Sequence, residues 1–196
     1  LARGRGDAGG LRLRRLEREY PGVALKTLVP VRRRPAEGLV DVVMIAADST
    51  GSLTTELGAL SEASPVRGIY TPALLAAHWM KLARQKTRQV LVLMPTPAGI
   101  RLMFLDGGAP VLSRLVPQTT PDKVGVEIGR TIQYLNNTHR VARSTRLELW
   151  FWGMDDATVA ASLPQGDNFE LGATPRVPRL PDPEQLGFEA LVQIAA

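Results

Sequence analysis

Residues 89–154 carry a succession of hydrophobic patterns that few folds can accommodate. Three apolar stretches of strand length come first, followed by an amphipathic stretch of helix length and then by a very apolar stretch. These patterns predict strands over residues 90–94, 100–105, 110–116 and 146–152, with a helix over residues 121–138. The predicted order of elements is therefore β-β-β-α-β.

The connections and the helix fit this order. Gly99 lies in the first connection and Asp106-Gly107-Gly108 forms the second, and these residues favour the positive φ angles of tight hairpin turns. Three strands joined by hairpins, followed by a helix and a strand, begin one half of an actin-like or ribonuclease-H-like domain. The predicted fold class is therefore α/β with mixed sheets, with this half (β-β-β-α-β-α) in residues 85–196. The apolar face of its long helix consists of Val124, Ile128, Ile132 and Leu135.

The preceding residues, 1–84, predict a small β-β-α-β-α subdomain behind a basic N-terminal segment. Its elements are an amphipathic helix that ends at Pro21-Gly22, strands over residues 23–31, 39–47 and 66–70, and helices over about 51–63 and 73–84. The continuous apolar run Leu39–Ala47 predicts a central strand that is buried on both faces. A polar, basic stretch predicts the boundary between the two domains at residues 84 and 85.

Beyond the last predicted strand, regular structure is expected to be sparse. Asp155-Asp156 begin a short predicted helix that ends near residue 162. Residues 164–183 are rich in proline and predict an extended loop. Residues 184–196 predict a closing helix.

Composition excludes several classes of site. The 196-residue chain has no cysteine and only two histidines, which argues against disulfides, a cysteine nucleophile, and a thiolate or histidine metal site. No apolar run approaches the roughly 20 residues of a membrane-spanning helix. We therefore expect a cytosolic protein with no catalytic residues, metal or other cofactor. A start without Met or an apolar signal core predicts a fragment of a longer chain.

Positive charge is concentrated at the N-terminus. Residues 1–34 contain ten Lys and Arg residues against three acidic residues, whereas the whole chain has a net charge of only +5. Such a segment can contact nucleic acid or an anionic membrane. Because the chain uses Arg far more than Lys, an Arg-rich solvated surface typical of a high-GC genome explains the charge more simply.

Acidic residues offer few acid–base pairs. Asp155 and Asp156 follow a predicted strand end, where active-site carboxylates often lie, but the first turn of a helix also favours acidic residues. Glu127 lies beside the apolar face of the long helix. We expect Glu127 to form a salt bridge with Arg130 or Arg114.

Two features of the predicted strands are candidate partner-binding sites. Ser113-Arg114 lie near the end of the third strand, where they can contact a ligand or form a polar strand edge. Alternation places Trp150 and Trp152 on one face of the last strand and Phe151 on the other. If both faces are covered, the tryptophans belong to the core. If one face is open, they are anchors for a partner.

The motifs of residues 90–135 resemble those of the actin-like PilM/GspL-type proteins of type IV pilus and type II secretion systems. The family pattern is f-x-d-G-x-p-x-x-S-R after a hairpin, then a helix with E-I-x-R-[ST]-x-x-Y. The matching positions here are Phe104, Asp106, Gly107, Pro110, Ser113, Arg114, Glu127, Ile128, Arg130, Thr131 and Tyr134. Residues 147–153 resemble the family's next strand and adenosine-side turn. The resemblance extends over most of residues 11–196 and implies an actin-like fold.

The turn between the first two strands departs from the family pattern. ATP-binding members hold phosphate with an Asp-Ile-Gly turn, whereas this chain has Met94-Pro95-Thr96-Pro97, with no carboxylate and two residues without an N–H donor. The resemblance therefore implies a degenerate, GspL-like member. Thr96, Gly99, Gly153 and Asp155 would be the remnant of its nucleotide site.

The predicted function is a non-catalytic cytoplasmic scaffold at the inner face of the bacterial inner membrane, in a pilus-biogenesis or type II secretion-like platform. The implied partners are an inner-membrane protein of that machine or its assembly ATPase, bound through Ser113, Arg114, Trp150 and Trp152. Two alternatives stay open: an active ATP-binding actin-like protein, and a basic nucleic-acid-binding module that uses residues 3–34. A homodimer is an open alternative as well.

Overall fold

The fold is that of a computed structural model, which describes residues 8–21, 23, 25–34, 39–47, 55, 58–59, 61–62, 70–85, 88–117, 121–153 and 169–175. The chain divides into two compact units, Leu1–Ile69 and Tyr70–Ala196. The sequence predicted the division at residues 84 and 85. The two divisions differ by the helix Pro72–Leu82, which packs on the sheet of the second unit.

In the first unit, helix α1 (Ala8–Glu19) precedes two strands, β1 (Leu25–Arg34) and β2 (Leu39–Ala47). The strands form an antiparallel ribbon in which Leu25 pairs with Ala47 and Arg34 with Leu39. The register shifts between Pro30 and Arg32. Proline has no N–H to donate to a strand ladder, which accounts for an irregularity at this place.

The strand β2 differs from its prediction. Among the described residues it pairs with β1 alone, and Val42, Val43 and Ile45 are half-buried rather than buried on both faces. A continuous apolar run fits a central strand, but it fits one strand of a long ribbon as well. The described residues of the predicted helix over 51–63 are helical, whereas residues 66–69 of the predicted third strand lie outside the described residues.

The second unit contains helix α2 (Pro72–Leu82), strands β3 (Gln89–Thr96), β4 (Gly99–Asp106) and β5 (Ala109–Pro117), helix α3 (Pro121–Asn137), and strands β6 (Leu147–Phe151) and β7 (Phe169–Leu171). The strands form one mixed sheet in the order β5-β4-β3-β6-β7. The hairpin pairs are antiparallel, whereas β3–β6 and β6–β7 are parallel. The predicted β-β-β-α-β order is therefore confirmed.

Both faces of this sheet are covered by helices. On one face α2 packs through Trp79 and Met80 against a set of fully buried side chains from β3, β4 and β6. On the other face α3 packs through Val124, Ile128, Ile132 and Leu135, the residues that its periodicity predicted. Successive residues of a strand point to opposite faces, so each central strand contributes to both cores. The β3–β4 and β4–β5 turns lie at the two opposite ends of this helix-covered sheet.

Strand β7 was not predicted. Phe169–Leu171 lies within the proline-rich stretch that the sequence indicated to be an extended loop, and it pairs in parallel with β6. Three residues are too few to show an alternating pattern. The helices predicted after Asp155 and over residues 184–196 lie outside the described residues.

Candidate functional site

The turn between β3 and β4 is the place where an actin-like half could hold phosphate. Thr96 pairs with Gly99 across the end of the hairpin, and Pro97-Ala98 form the loop. The Thr96 hydroxyl donates a hydrogen bond to the Gly99 carbonyl at 2.9 Å. Gly99 has a φ of 136°, which non-glycine residues rarely adopt. The hydroxyl is thus used within the turn, and Pro95 and Pro97 present no N–H donor.

Gly153 lies at the same end of the sheet as this turn. Strands β3 and β6 run in parallel with Leu93 beside Phe151, and the Trp152 N–H extends the ladder by donating to the Leu93 carbonyl at 2.9 Å. Gly153 follows immediately, with a φ of 61° that ends the strand in a left-handed turn. The structure therefore brings Thr96, Gly99 and Gly153 to one end of the sheet. Asp155, the fourth predicted residue of the nucleotide-site remnant, lies outside the described residues.

Trp150 of β6 and Trp152, which directly follows this strand, are core residues. Trp150 and Trp152 are both completely buried, on the face that α2 covers. The Trp152 ring packs on that of Trp79, with centroids 5.6 Å apart and planes at 60°. A partner that docks on the surface does not reach either indole. Of the two alternatives that the alternating pattern left open, the tryptophans therefore belong to the core and are not anchors for a partner.

The hydrogen bonds of these indoles differ. The Trp79 Nε1 donates to the Pro175 carbonyl at 3.0 Å, and the Trp150 Nε1 donates to Glu148 Oε1 at 3.0 Å. The Trp152 Nε1 is buried and has no hydrogen-bond partner among the described residues. The residues that follow β7 are therefore tied to α2 through Trp79.

Arg114 joins β5 to α3. Its guanidinium donates from Nη2 to Glu127 Oε2 at 2.6 Å and from Nη1 to the buried Thr131 hydroxyl at 3.4 Å. The other Glu127 oxygen accepts from Arg130 Nη1. The predicted salt bridge of Glu127 is thus present with both candidate arginines. Ser113 is exposed and accepts a hydrogen bond from Arg101 Nη1 at 3.3 Å. Of the two predicted contact residues, Arg114 is therefore bound to α3, whereas Ser113 faces solvent.

A cluster around Glu148 was not predicted. Its carboxylate accepts hydrogen bonds from Arg88 at 2.7 and 2.8 Å in addition to the one from Trp150. Gly172 lies so close to this side chain that a Cβ on the glycine would overlap it. The available signal was a single acidic residue in the otherwise apolar strand Leu147–Phe151.

Two negative findings apply to the described part of the chain. It contains no group of three or more His, Cys, Asp or Glu side chains that could hold a metal ion. None of its helices combines the length and the apolar character needed to cross a membrane.

Comparison with known proteins identifies the fold. No protein-family profile and no curated protein matches the sequence. The PilM-PilN type IV pilus biogenesis complex matches 95% of this chain and 72% of its own, with 17% identity and a TM-score of 0.54. A protein of Bacteroides thetaiotaomicron with an actin-like ATPase fold and unknown function matches 95% of this chain and 66% of its own, with 12% identity and a TM-score of 0.50. The chain therefore has an actin-like fold, as the sequence motifs predicted.

Proposed function

We propose that this chain is a non-catalytic scaffold domain of a pilus-biogenesis or type II secretion-like platform, at the inner face of the bacterial inner membrane. The observation that carries the proposal is the β3–β4 turn, which has an actin-like setting but not the chemistry of a phosphate site. The likeness to the PilM-PilN complex supports the choice of machine.

The turn lacks two backbone N–H donors and the carboxylate that a phosphate site in this fold uses. A hydrogen bond to a charged group contributes roughly 1.5–3 kcal/mol, so two missing backbone donors correspond to roughly 3–6 kcal/mol, or at least a hundredfold in affinity. Pro95 and Pro97 are the residues without donors, and the Thr96 hydroxyl is occupied by Gly99. No carboxylate lies between residues 94 and 100 to position a metal ion or a water molecule.

Titration with Mg-ATP tests the non-catalytic half of the proposal. A protein that binds with a Kd of about 10 μM is stabilised by about 2.7 kcal/mol at about 1 mM ligand, which raises the Tm by several degrees. We expect no shift for this chain and no ATP hydrolysis, with a nucleotide-binding actin-like protein as the positive control. A saturable rise in Tm together with turnover would instead support the alternative of an active ATP-binding protein.

Co-purification tests the scaffold half. The partners to try are a PilN-like inner-membrane protein and the assembly ATPase of the same bacterium, each expressed with this chain. Ser113 is the exposed candidate contact, so Ser113→Arg should weaken a complex formed through β5, while the exposed Ser144→Arg on another connection should not. Failure to bind any pilus or secretion component would contradict the proposal whatever the ATP result.

The nucleic-acid alternative receives little support from α1. Arg15 donates to Glu19 at 2.8 Å, and this hydrogen bond raises the pKa of the Arg15 guanidinium. Part of the basic segment is thus paired within its own helix. Salt-dependent DNA binding that is lost on replacing Arg32, Arg33 and Arg34 by Ala would favour the alternative.

A further inference from the structure

Four exposed cationic side chains lie at one end of the five-stranded sheet. At this end the parallel strands β3, β6 and β7 begin and the helices α2 and α3 terminate. Lys81 and Arg84 belong to the end of α2, whereas Arg140 and Arg143 belong to the connection between α3 and β6. We refer to these four residues as the basic end.

Direct contacts hold these connections together. Gln89, at the start of β3, donates from Nε2 to Asp106 Oδ1 at 3.2 Å and to the Arg140 carbonyl at 3.4 Å. Gly108, in the β4–β5 turn, is next to Lys81, whose Cγ is 4.0 Å from the position of a Cβ on the glycine. The β4–β5 turn therefore lies among the segments that carry the four cations.

The carboxylates at this end that belong to described residues all have polar partners. Glu148 pairs with Arg88, Glu170 lies 3.9 Å from Arg146, and Asp106 accepts from Gln89. Across the described residues, none of the four cations of the basic end has a carboxylate within salt-bridge distance. The surplus of positive charge is thus exposed to solvent.

Arg84 has a left-handed backbone at the end of α2. The Arg84 N–H donates to the Lys81 carbonyl at 3.2 Å and the Gln85 N–H to the Met80 carbonyl at 2.9 Å, a helix ending that places Arg84 in the left-handed region at φ 58°. Helix α3 ends with the same pair of bonds, at His139, φ 55°. Glycine fits this position with the least strain.

Leu82 adds an exposed apolar side chain to this end of the sheet. This leucine lies between Lys81 and Arg84 and is 45% exposed. An exposed apolar side chain at the same end as exposed cations matches an anionic lipid surface, where the cations attract headgroups and the apolar side chain enters the interface. The helix dipoles also favour cations, but only within the last turn, and Arg143 lies beyond it.

We propose that the basic end is a contact surface for the anionic headgroups of a phospholipid bilayer. It uses Lys81, Arg84, Arg140 and Arg143 for attraction and Leu82 for insertion. The surface goes beyond the proposed pilus function and does not depend on it, because it is argued from the second unit alone.

Vesicle co-sedimentation of the full chain tests this surface, with phosphatidylcholine vesicles that contain or lack phosphatidylglycerol. A cation near an anionic surface contributes about fivefold in affinity, so Arg140→Gln/Arg143→Gln should weaken binding about 25-fold. The matched control, Lys123→Gln/Arg130→Gln, removes the same charge from exposed positions on α3 outside the basic end and should retain binding. Leu82→Ser should weaken binding with no change in charge.

The variant Arg84→Gly separates binding from folding. It should weaken vesicle binding while raising the Tm, because it removes a cation and relieves the left-handed backbone. Equal losses in the basic-end and control variants, binding that does not depend on phosphatidylglycerol, or no binding at all would overturn the proposal. Binding to duplex DNA instead of vesicles, with the same dependence on these cations, would also overturn it in favour of nucleic acid.

Discussion

Replacing Gly172 by alanine would test the contact that holds β7 against β6. Gly172 follows β7 and donates its N–H to the Leu149 carbonyl at 2.9 Å. A Cβ at this position would lie 2.2 Å from Glu148 Cγ and 2.3 Å from its Oε1. Gly172 is not among the glycines with positive φ, so alanine suits the backbone and the overlap is its main effect. The Glu148 side chain must therefore move.

The structure sets the size of the effect. Glu148 is held by Arg88 and by the Nε1 of the fully buried Trp150. Moving the carboxylate leaves the indole N–H unsatisfied, which costs roughly 1–3 kcal/mol. Arg88 is half-exposed, so loss of its ion pair adds at most about 1 kcal/mol. We expect Gly172→Ala to lower the free energy of unfolding by about 1–4 kcal/mol.

Urea unfolding followed by tryptophan fluorescence is the assay, since all three tryptophans are buried in the second unit. The matched background is Glu148→Ala, in which the overlapping atoms are absent. There, Gly172→Ala should cost less than about 0.5 kcal/mol, which gives a coupling energy of about 2 kcal/mol. The same loss in both backgrounds, or a near-neutral Gly172→Ala, would refute the reasoning.

Two further predictions use matched pairs. Glu127→Gln should lower the free energy of unfolding by about 1–3 kcal/mol because it removes the charge that Arg114 pairs with, whereas Arg130→Gln should change it by less than about 1 kcal/mol; urea unfolding curves that rank the two variants in the opposite order would contradict this. Trp79→Phe and Trp152→Phe remove the same atoms from one core, but within the described part of the chain the Trp79 Nε1 has a hydrogen-bond partner and the Trp152 Nε1 has none. Trp79→Phe should therefore cost about 1 kcal/mol more, and a lower Tm for Trp152→Phe would count against the assigned hydrogen bonds.

The second unit could be predicted well because its signals are local. Each of its first three strands is bounded by a turn with glycine, and Gly107 and Gly108 adopt the positive φ angles that the sequence indicated. The apolar stripe of α3 also depends only on spacing along the helix, and the same four residues pack on the sheet. Local chemistry of this kind needs no knowledge of which strands pair.

The features that the sequence did not predict depend on contacts between distant segments. The sequence shows that α2 is apolar but not which sheet covers it, so the predicted boundary at residue 84 separated it from its own core. Phe169–Leu171 forms a strand because it pairs with the edge of β6, and a pattern of three residues cannot predict that pairing. The Glu148 cluster is similar, since Arg88 lies 60 residues away in the chain.

Fold and nucleotide chemistry depend on different residues of the β3–β4 hairpin. Leu93 and Met94 are fully buried and pack on the two opposite faces of the sheet, whereas Pro97 and Ala98 are exposed at the tip. A change at the tip therefore leaves both cores intact, and proline there restricts the unfolded chain as well. An actin-like sheet can thus keep its fold while the turn loses its phosphate donors. The chemistry of the turn therefore bears on function more directly than the fold does, since a fold by itself does not imply an activity.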